Sequence, residues 1–303
     1  MATKKLLQKK FVQKARKKPD GTPGKSNAEK TGGNKPERSR WYYLSLLLIL
    51  ILLPAWTFWP VLNHEFLNWD DPLNVLENPQ IKKISFENLK GILFSSWKIS
   101  GYYIPLTFFS FAADHALFGL KAEAFHRTSL ILHILNVLLL FWFFYLLSRN
   151  VPIAFWGAAF FSIHPLHVEA ISWVTERKGL LATFFLLGTL VSYLRHRETP
   201  SKFLYGGSIF FFFLSLLSKP TGLMLPFLLL LLDHFKGRPW SRQTFYEKIP
   251  FVVGSLLFGV QSLWGQESGG AMGSKPILAA QNLFAAGYGV LFYMAKFICP
   301  VNL

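Results

Sequence analysis

One cysteine, Cys299, stands in 303 residues. That excludes an internal disulfide and a metal cage built on thiolates. Charge is scarce as well. Only 16% of the residues are Asp, Glu, Lys or Arg, against about 25% in an average soluble domain. No HExxH pattern is present, so a helix-borne zinc site of that type is excluded. The glycines between Gly265 and Gly273 lead to no lysine-serine ending, which excludes a phosphate-cradling P-loop, and no serine-histidine elbow is found. No internal repeat is visible.

What the chain has in quantity is apolar sequence. Hydrophobic residues make up 51% of it, and the mean hydropathy is +0.31. They fall in blocks: Leu44–Leu53, Leu135–Leu147, Phe203–Leu217 and Leu223–Leu232. A soluble protein of this size would show amphipathic stripes instead, whereas a membrane-crossing helix needs about 20 mostly apolar residues. The expected fold is an all-α polytopic membrane protein. Spans are expected at about 42–62, 125–147, 151–163, 180–194, 203–217, 221–232, 249–264 and 282–298, or about eight in all. Two domains are expected: a basic disordered tail at 1–40, and a membrane domain at 41–303 whose first outer loop covers 63–103. That loop is too polar to span and rich in aromatics. The pattern through Ile81–Trp97 suits interfacial amphipathic helices, with Trp69, Trp97, Tyr102 and Tyr103 at headgroup level. Pro105–Leu120 contains Asp114 and His115 and reads as an interfacial or partly buried helix. The ending at Leu303, directly after an apolar run, looks like a truncation.

The formal charge of +16 is concentrated at one end. Residues 1–40 hold 13 Lys or Arg and 3 Asp or Glu. This favours a tail lying on anionic headgroups over a nucleic-acid partner, and no nucleic acid is expected. Cations recur at Arg149, at Arg195, Arg197 and Lys202, and at Lys236, Arg238, Arg242 and Lys248. A cytoplasmic N-terminus puts all of these on the inner side. The polar motifs then share the outer face.

Three constellations on that face can carry chemistry. Asn68-Trp69-Asp70-Asp71-Pro72 sets two adjacent carboxylates just past the first span. They suit acid/base work or cation binding; a solvated turn before proline is the alternative. Pro72 favours extended backbone at Asp71. His164-Pro165-Leu166-His167-Val168-Glu169 follows only 13 residues of apolar helix, about 20 Å and short of a ~30 Å hydrocarbon core. A hydrogen-bonded kink, a substrate pocket and a zinc site are all open there. Glu176-Arg177-Lys178 and Ser218-Lys219-Pro220 place cations at the outer ends of neighbouring spans. They either snorkel or converge on a phosphate. His126, His133 and Asn136 share one face of the second span and suit interhelical hydrogen bonds.

In order, these pieces resemble the membrane half of bacterial tetratricopeptide-repeat glycosyltransferase-like proteins. They are similar also to the transmembrane-and-tetratricopeptide-repeat O-mannosyltransferases of the GT-C superfamily. Asn68–Pro72, Pro105–Thr107, Phe118–Leu120, His126/His133/Asn136, His164–Glu169, Trp173–Lys178, Lys219–Pro220, Leu229–Asp233 and Glu247–Phe251 carry the likeness over about residues 42–303. Gly179 and Thr221 depart from it, standing where aspartate and methionine are expected. The resemblance implies a GT-C bundle in the plasma membrane. Its activity would be transfer of a sugar, mannose for instance, from a polyprenyl-phosphate carrier to a protein or glycan hydroxyl on the outer face. No required cofactor is expected and no metal ligand is assigned, and the resemblance implies a soluble repeat domain beyond residue 303. A non-catalytic scaffold that binds the lipid carrier is the alternative. The site assignments that follow are Asp71 as base with Asp70 beside it, and Lys219, Lys178 and Arg177 on the donor phosphate. His164, His167, Glu169, Trp69 and His126 would line the substrate pocket.

Overall fold

The computed structural model describes residues 40–95, 103–268 and 280–301. The basic tail up to residue 39, with Trp97 and Tyr102, lies outside them. Every described element is helical. The helices used below are α1 (Arg40–Thr57), α2 (Phe86–Ser95), α3 (Pro105–Phe118), α4 (Ala122–Ser148), α5 (Val151–Ser162), α6 (Val168–Ser172), α7 (Arg177–Glu198), α8 (Lys202–Ser218), α9 (Leu225–Phe235), α10 (Arg242–Tyr246), α11 (Ile249–Ser268) and α12 (Ala280–Ile298).

Four helical stretches are long and apolar enough to cross a membrane: α1, α4, Val174–Glu198 and Arg242–Gln266. A fifth exists if Val151–Ser162 and Pro165–Ser172, bent by 54°, count as one span. Lys202–Ser218, Pro220–Phe235 and Phe284–Ile298 are apolar but shorter. All eight places expected from the hydrophobic blocks therefore hold a helix, and four or five of those helices have spanning length.

Local sequence explains the boundaries. After α4, Arg149 takes the left-handed conformation (φ 54°), which stops the helix. Asn150 then caps α5, its side chain accepting from Ile153 N at 3.1 Å, with Pro152 in the first turn. The 54° bend falls where Pro165 forces His164 into extended backbone (φ −66°, ψ 131°). Lys219 is extended ahead of Pro220 in the same way (φ −159°, ψ 135°) and ends α8. α7 closes on Arg195, His196 and Arg197, which suit the negative end of the helix dipole. Only Phe86–Ser95 of the expected interfacial segment is helical among the described residues.

Apolar residues fill the inside and also cover much of the outside. Leu187, Leu190, Phe212, Leu216, Leu229 and Phe251 form the centre of the largest buried cluster. Yet Leu48, Leu52, Trp56, Phe210, Phe227, Leu256 and Val260 are exposed. An apolar outer belt of this extent is what lipid contact requires. Polar groups hold helices together inside. His133 Nε2 meets Ser162 O at 2.9 Å, and Asn136 donates to Leu180 O at 3.0 Å. Ser215 donates to Ala182 O at 2.8 Å. Near the end of α7, Tyr193 donates to Asp233, which Lys248 also meets at 2.6 Å. Arg238 joins Asp233 to Glu247. The bond to Glu247 lifts the Arg238 guanidinium above its ordinary value. This network lies about 24 Å along α7 from Arg177, at 1.5 Å per residue. It gathers α7, α9 and the turn that leads into α11 at the end away from the acidic loop.

Candidate functional site

The acidic loop is stitched to the segment that leads into α7. Asp71 is fully buried. Its Oδ1 accepts from Thr175 N at 2.9 Å and from Thr175 Oγ1 at 2.6 Å, and its Oδ2 accepts from Leu67 N at 2.9 Å. Three donors on one carboxylate satisfy it without water. The expected extended backbone at Asp71 is corrected here. The residue is right-handed helical (φ −63°, ψ −38°) and leads a helical turn, Pro72–Leu76. The preference set by Pro72 is small beside three hydrogen bonds to a buried carboxylate.

Asp70 is different. It is half-buried. Its carbonyl accepts from Asn74 N and Nδ2, both at 2.9 Å, and no described side chain bonds its carboxylate. Next to it Trp69 stacks on Trp173, with ring centroids 5.3 Å apart and planes 25° apart. Lys178 Nζ lies 5.4 Å from the Trp173 ring centroid. The loop and the start of α7 thus meet through two contacts, Asp71 with Thr175 and Trp69 with Trp173.

Beyond Trp173 a cavity of about 310 Å³ is lined by Ile104, Glu176, Lys178, Lys219, Pro220 and Thr221. Lys219 pairs with Glu176 Oε1, and Lys178 lies 3.6 Å from Glu176 Oε2. Two of the three cations expected on a donor phosphate therefore share one pocket. Arg177 does not. It is wholly buried and pairs with Asp114 at 2.7 Å. Its remaining N–H groups reach Phe125 O at 2.7 Å and Ser129 Oγ at 3.3 Å. Consecutive residues at the start of a helix point about 100° apart, so Lys178 faces the cavity while Arg177 faces α3 and α4.

The His-Pro motif stands elsewhere. His164 is buried; its Nε2 meets Phe297 O at 3.0 Å, and its ring stacks on Phe297. The His167 ring packs on Phe161, with centroids 4.1 Å apart, and beside His133 at 5.3 Å. Glu169 is exposed. His126 is fully buried, edge-on to His64. None of these four lines the cavity. Among the described residues no three His, Cys, Asp or Glu side chains converge as a metal ion requires.

Sequence reasoning missed Thr175 and Glu176. Both lie in the Trp173–Lys178 piece of the resemblance, where the cations drew attention and the residues that position them did not.

Against known proteins the chain is 29% identical over 230 residues to protein O-mannosyl-transferase F38B6.6 of Caenorhabditis elegans, covering 72% of this chain and 32% of that protein. It is 29% identical over 194 residues to protein O-mannosyl-transferase TMTC1 of Mus musculus, covering 57% and 20%. It is 31% identical over 97 residues to protein O-mannosyl-transferase TMTC2 of Homo sapiens, covering 32% and 12%. The chain spans a third or less of the length of these curated relatives. No protein-family model matches it, and no solved structure matches it. Over much of its length the chain is distantly similar to TMTC protein O-mannosyl-transferases.

Proposed function

We propose that this chain is the membrane domain of a glycosyltransferase that takes a sugar, mannose for instance, from a polyprenyl-phosphate carrier and places it on a protein or glycan hydroxyl. The observation that carries the reading is the Asp71–Thr175 contact. It ties the acidic loop to Thr175, the neighbour in sequence of Glu176, which lines the cavity with Lys178 and Lys219. The likeness to protein O-mannosyl-transferases supports the reaction class and the protein acceptor.

In this reading the donor phosphate sits between Lys178 and Lys219. Asp70 takes the proton of the acceptor hydroxyl as its oxygen attacks the anomeric carbon. The bond from that carbon to the phosphate oxygen breaks, and prenyl phosphate leaves with both electrons, its charge held by the two ammonium groups. Asp71, with both oxygens occupied, anchors the loop. The exposed Trp69 ring, backed by Trp173, gives a flat apolar face on which a sugar can rest. His164, His167 and His126 shape the bundle around this centre, while Glu169 stays exposed. Arg177 is reassigned from the phosphate to support of the α7 start. No required metal or cofactor enters the scheme.

Lys219→Ala should weaken binding of a radiolabelled prenyl-phosphate sugar by about 10- to 150-fold. A charge-assisted contact is worth roughly 1.5–3 kcal/mol, and ~1.4 kcal/mol is one decade. Equilibrium binding to the chain in nanodiscs measures this. An unchanged constant would assign Lys219 to its Glu176 pair alone and remove the donor site.

The proposal includes about eight crossings, the three shorter apolar helices included, in a plasma membrane with the N-terminus inside. A soluble repeat domain beyond residue 303 is part of the same proposal. Lys83 and Lys202 are both exposed. In a Cys299→Ser background, Lys83→Cys should react with an impermeant thiol reagent from outside intact cells and Lys202→Cys only after permeabilisation. Labelling of both from one side contradicts the topology.

A further inference from the structure

Glu176 stands between the two lysines of the cavity. One of its oxygens pairs with Lys219, and the other lies 3.6 Å from Lys178. Its side chain is only 14% exposed. A carboxylate held between two ammonium groups occupies the place, and offers the acceptors, of two phosphate oxygens. Gly179 gives it the room. A Cβ at 179 would come within 2.7 Å of Glu176 Oε1 and 3.8 Å of Lys219 Nζ. The other lining residues, Ile104, Pro220 and Thr221, are uncharged. The charged lining is thus two cations and one anion.

We propose that Glu176 determines which phosphate-linked lipid this site accepts: a prenyl phosphodiester with a single negative charge, and not a prenyl diphosphate. The inference rests on the donor site proposed above and adds its selectivity. A singly charged diester balances the one surplus cation. The diester then displaces the Glu176 carboxylate from between Lys178 and Lys219, and the two lysines hold the phosphate in its place. A diphosphate brings further negative charge to within a few ångströms of the carboxylate. In a partly enclosed site that repulsion is weakly screened, and it acts against the wrong ligand more than against the right one.

Competition binding with farnesyl methyl phosphodiester and farnesyl diphosphate tests this on the whole chain in nanodiscs. Wild type should favour the diester. Glu176→Gln keeps the shape and removes the charge, and should strengthen the diphosphate about 10-fold more than the diester. Gly179→Ala keeps every charge but pushes the carboxylate off Lys219, and should move the ratio the same way by a smaller factor. A ratio unchanged in both variants, with both probes still bound, overturns the role of Glu176 and leaves the donor site standing. Failure of both probes to bind wild type, or binding that Lys219→Ala does not weaken, overturns the donor site and this inference with it.

Discussion

Asp70→Asn should lower turnover by ~10²- to 10⁴-fold, the range a positioned general base contributes, with thermal stability within about 0.5 kcal/mol of wild type. Its carboxylate bonds no described side chain and is half-buried, so an amide fits in its place without loss. Asp71→Asn should behave in the opposite way. Its carboxylate accepts from Leu67 N, Thr175 N and Thr175 Oγ1. Asparagine offers one acceptor where two are used, and it sets an N–H against another donor. A buried unsatisfied pair costs roughly 1–3 kcal/mol, so melting should fall, and activity with it as the loop loosens. Kinetics and melting curves on both variants separate the roles. Full turnover in Asp70→Asn, with turnover lost in a well-folded Asp71→Asn, would return the base to Asp71.

Arg177→Met should destabilise the fold by about 3–5 kcal/mol, because it leaves Asp114 charged and unpaired in the interior. The guanidinium touches α3 through Asp114 and α4 through Phe125 O and Ser129, and it lies 4.9 Å from the Phe111 ring centroid. Removing the charge on both sides should restore most of the loss. Replacing a whole buried ion pair by apolar groups of similar volume is often neutral or stabilising, so Arg177→Met with Asp114→Leu should melt near wild type. The double variant also separates support from ligation. It should bind a prenyl-phosphate sugar with the wild-type constant, since Lys178 and Lys219 keep their cavity. A folded double variant that binds at least tenfold more weakly would place Arg177 on the phosphate after all.

The helices were legible in the sequence because long apolar runs such as Leu135–Leu147 and Phe203–Leu217 favour helix, and the first of these lies in a helix of spanning length while the second lies in a shorter one. Breaks were legible where proline acts on its neighbour, as at His164 and Lys219. The same rule failed at Asp71, where contacts 104 residues away in sequence fixed the backbone. No local signal carries that information. The meeting of Lys178 and Lys219 in one cavity is compatible with their places at the ends of adjacent spans, which left snorkelling equally open. The separation of Arg177 from Lys178 could not be read, because it depends on the rotation of α7 about its axis. Asp114 marked Pro105–Leu120 as interfacial or partly buried, and its role as the partner that takes Arg177 inside was not legible.

The central claim is that the acidic loop and the two-lysine cavity are one transfer site. The most direct measurement follows the label from a prenyl-phosphate sugar, radiolabelled in the sugar, in membranes that carry the chain. Wild type should move label into protein or glycan and release one prenyl phosphate per sugar transferred. Asp70→Asn should bind the same donor with an unchanged constant and transfer almost none. Equal transfer by wild type and Asp70→Asn, or label incorporation without release of prenyl phosphate, would contradict the account.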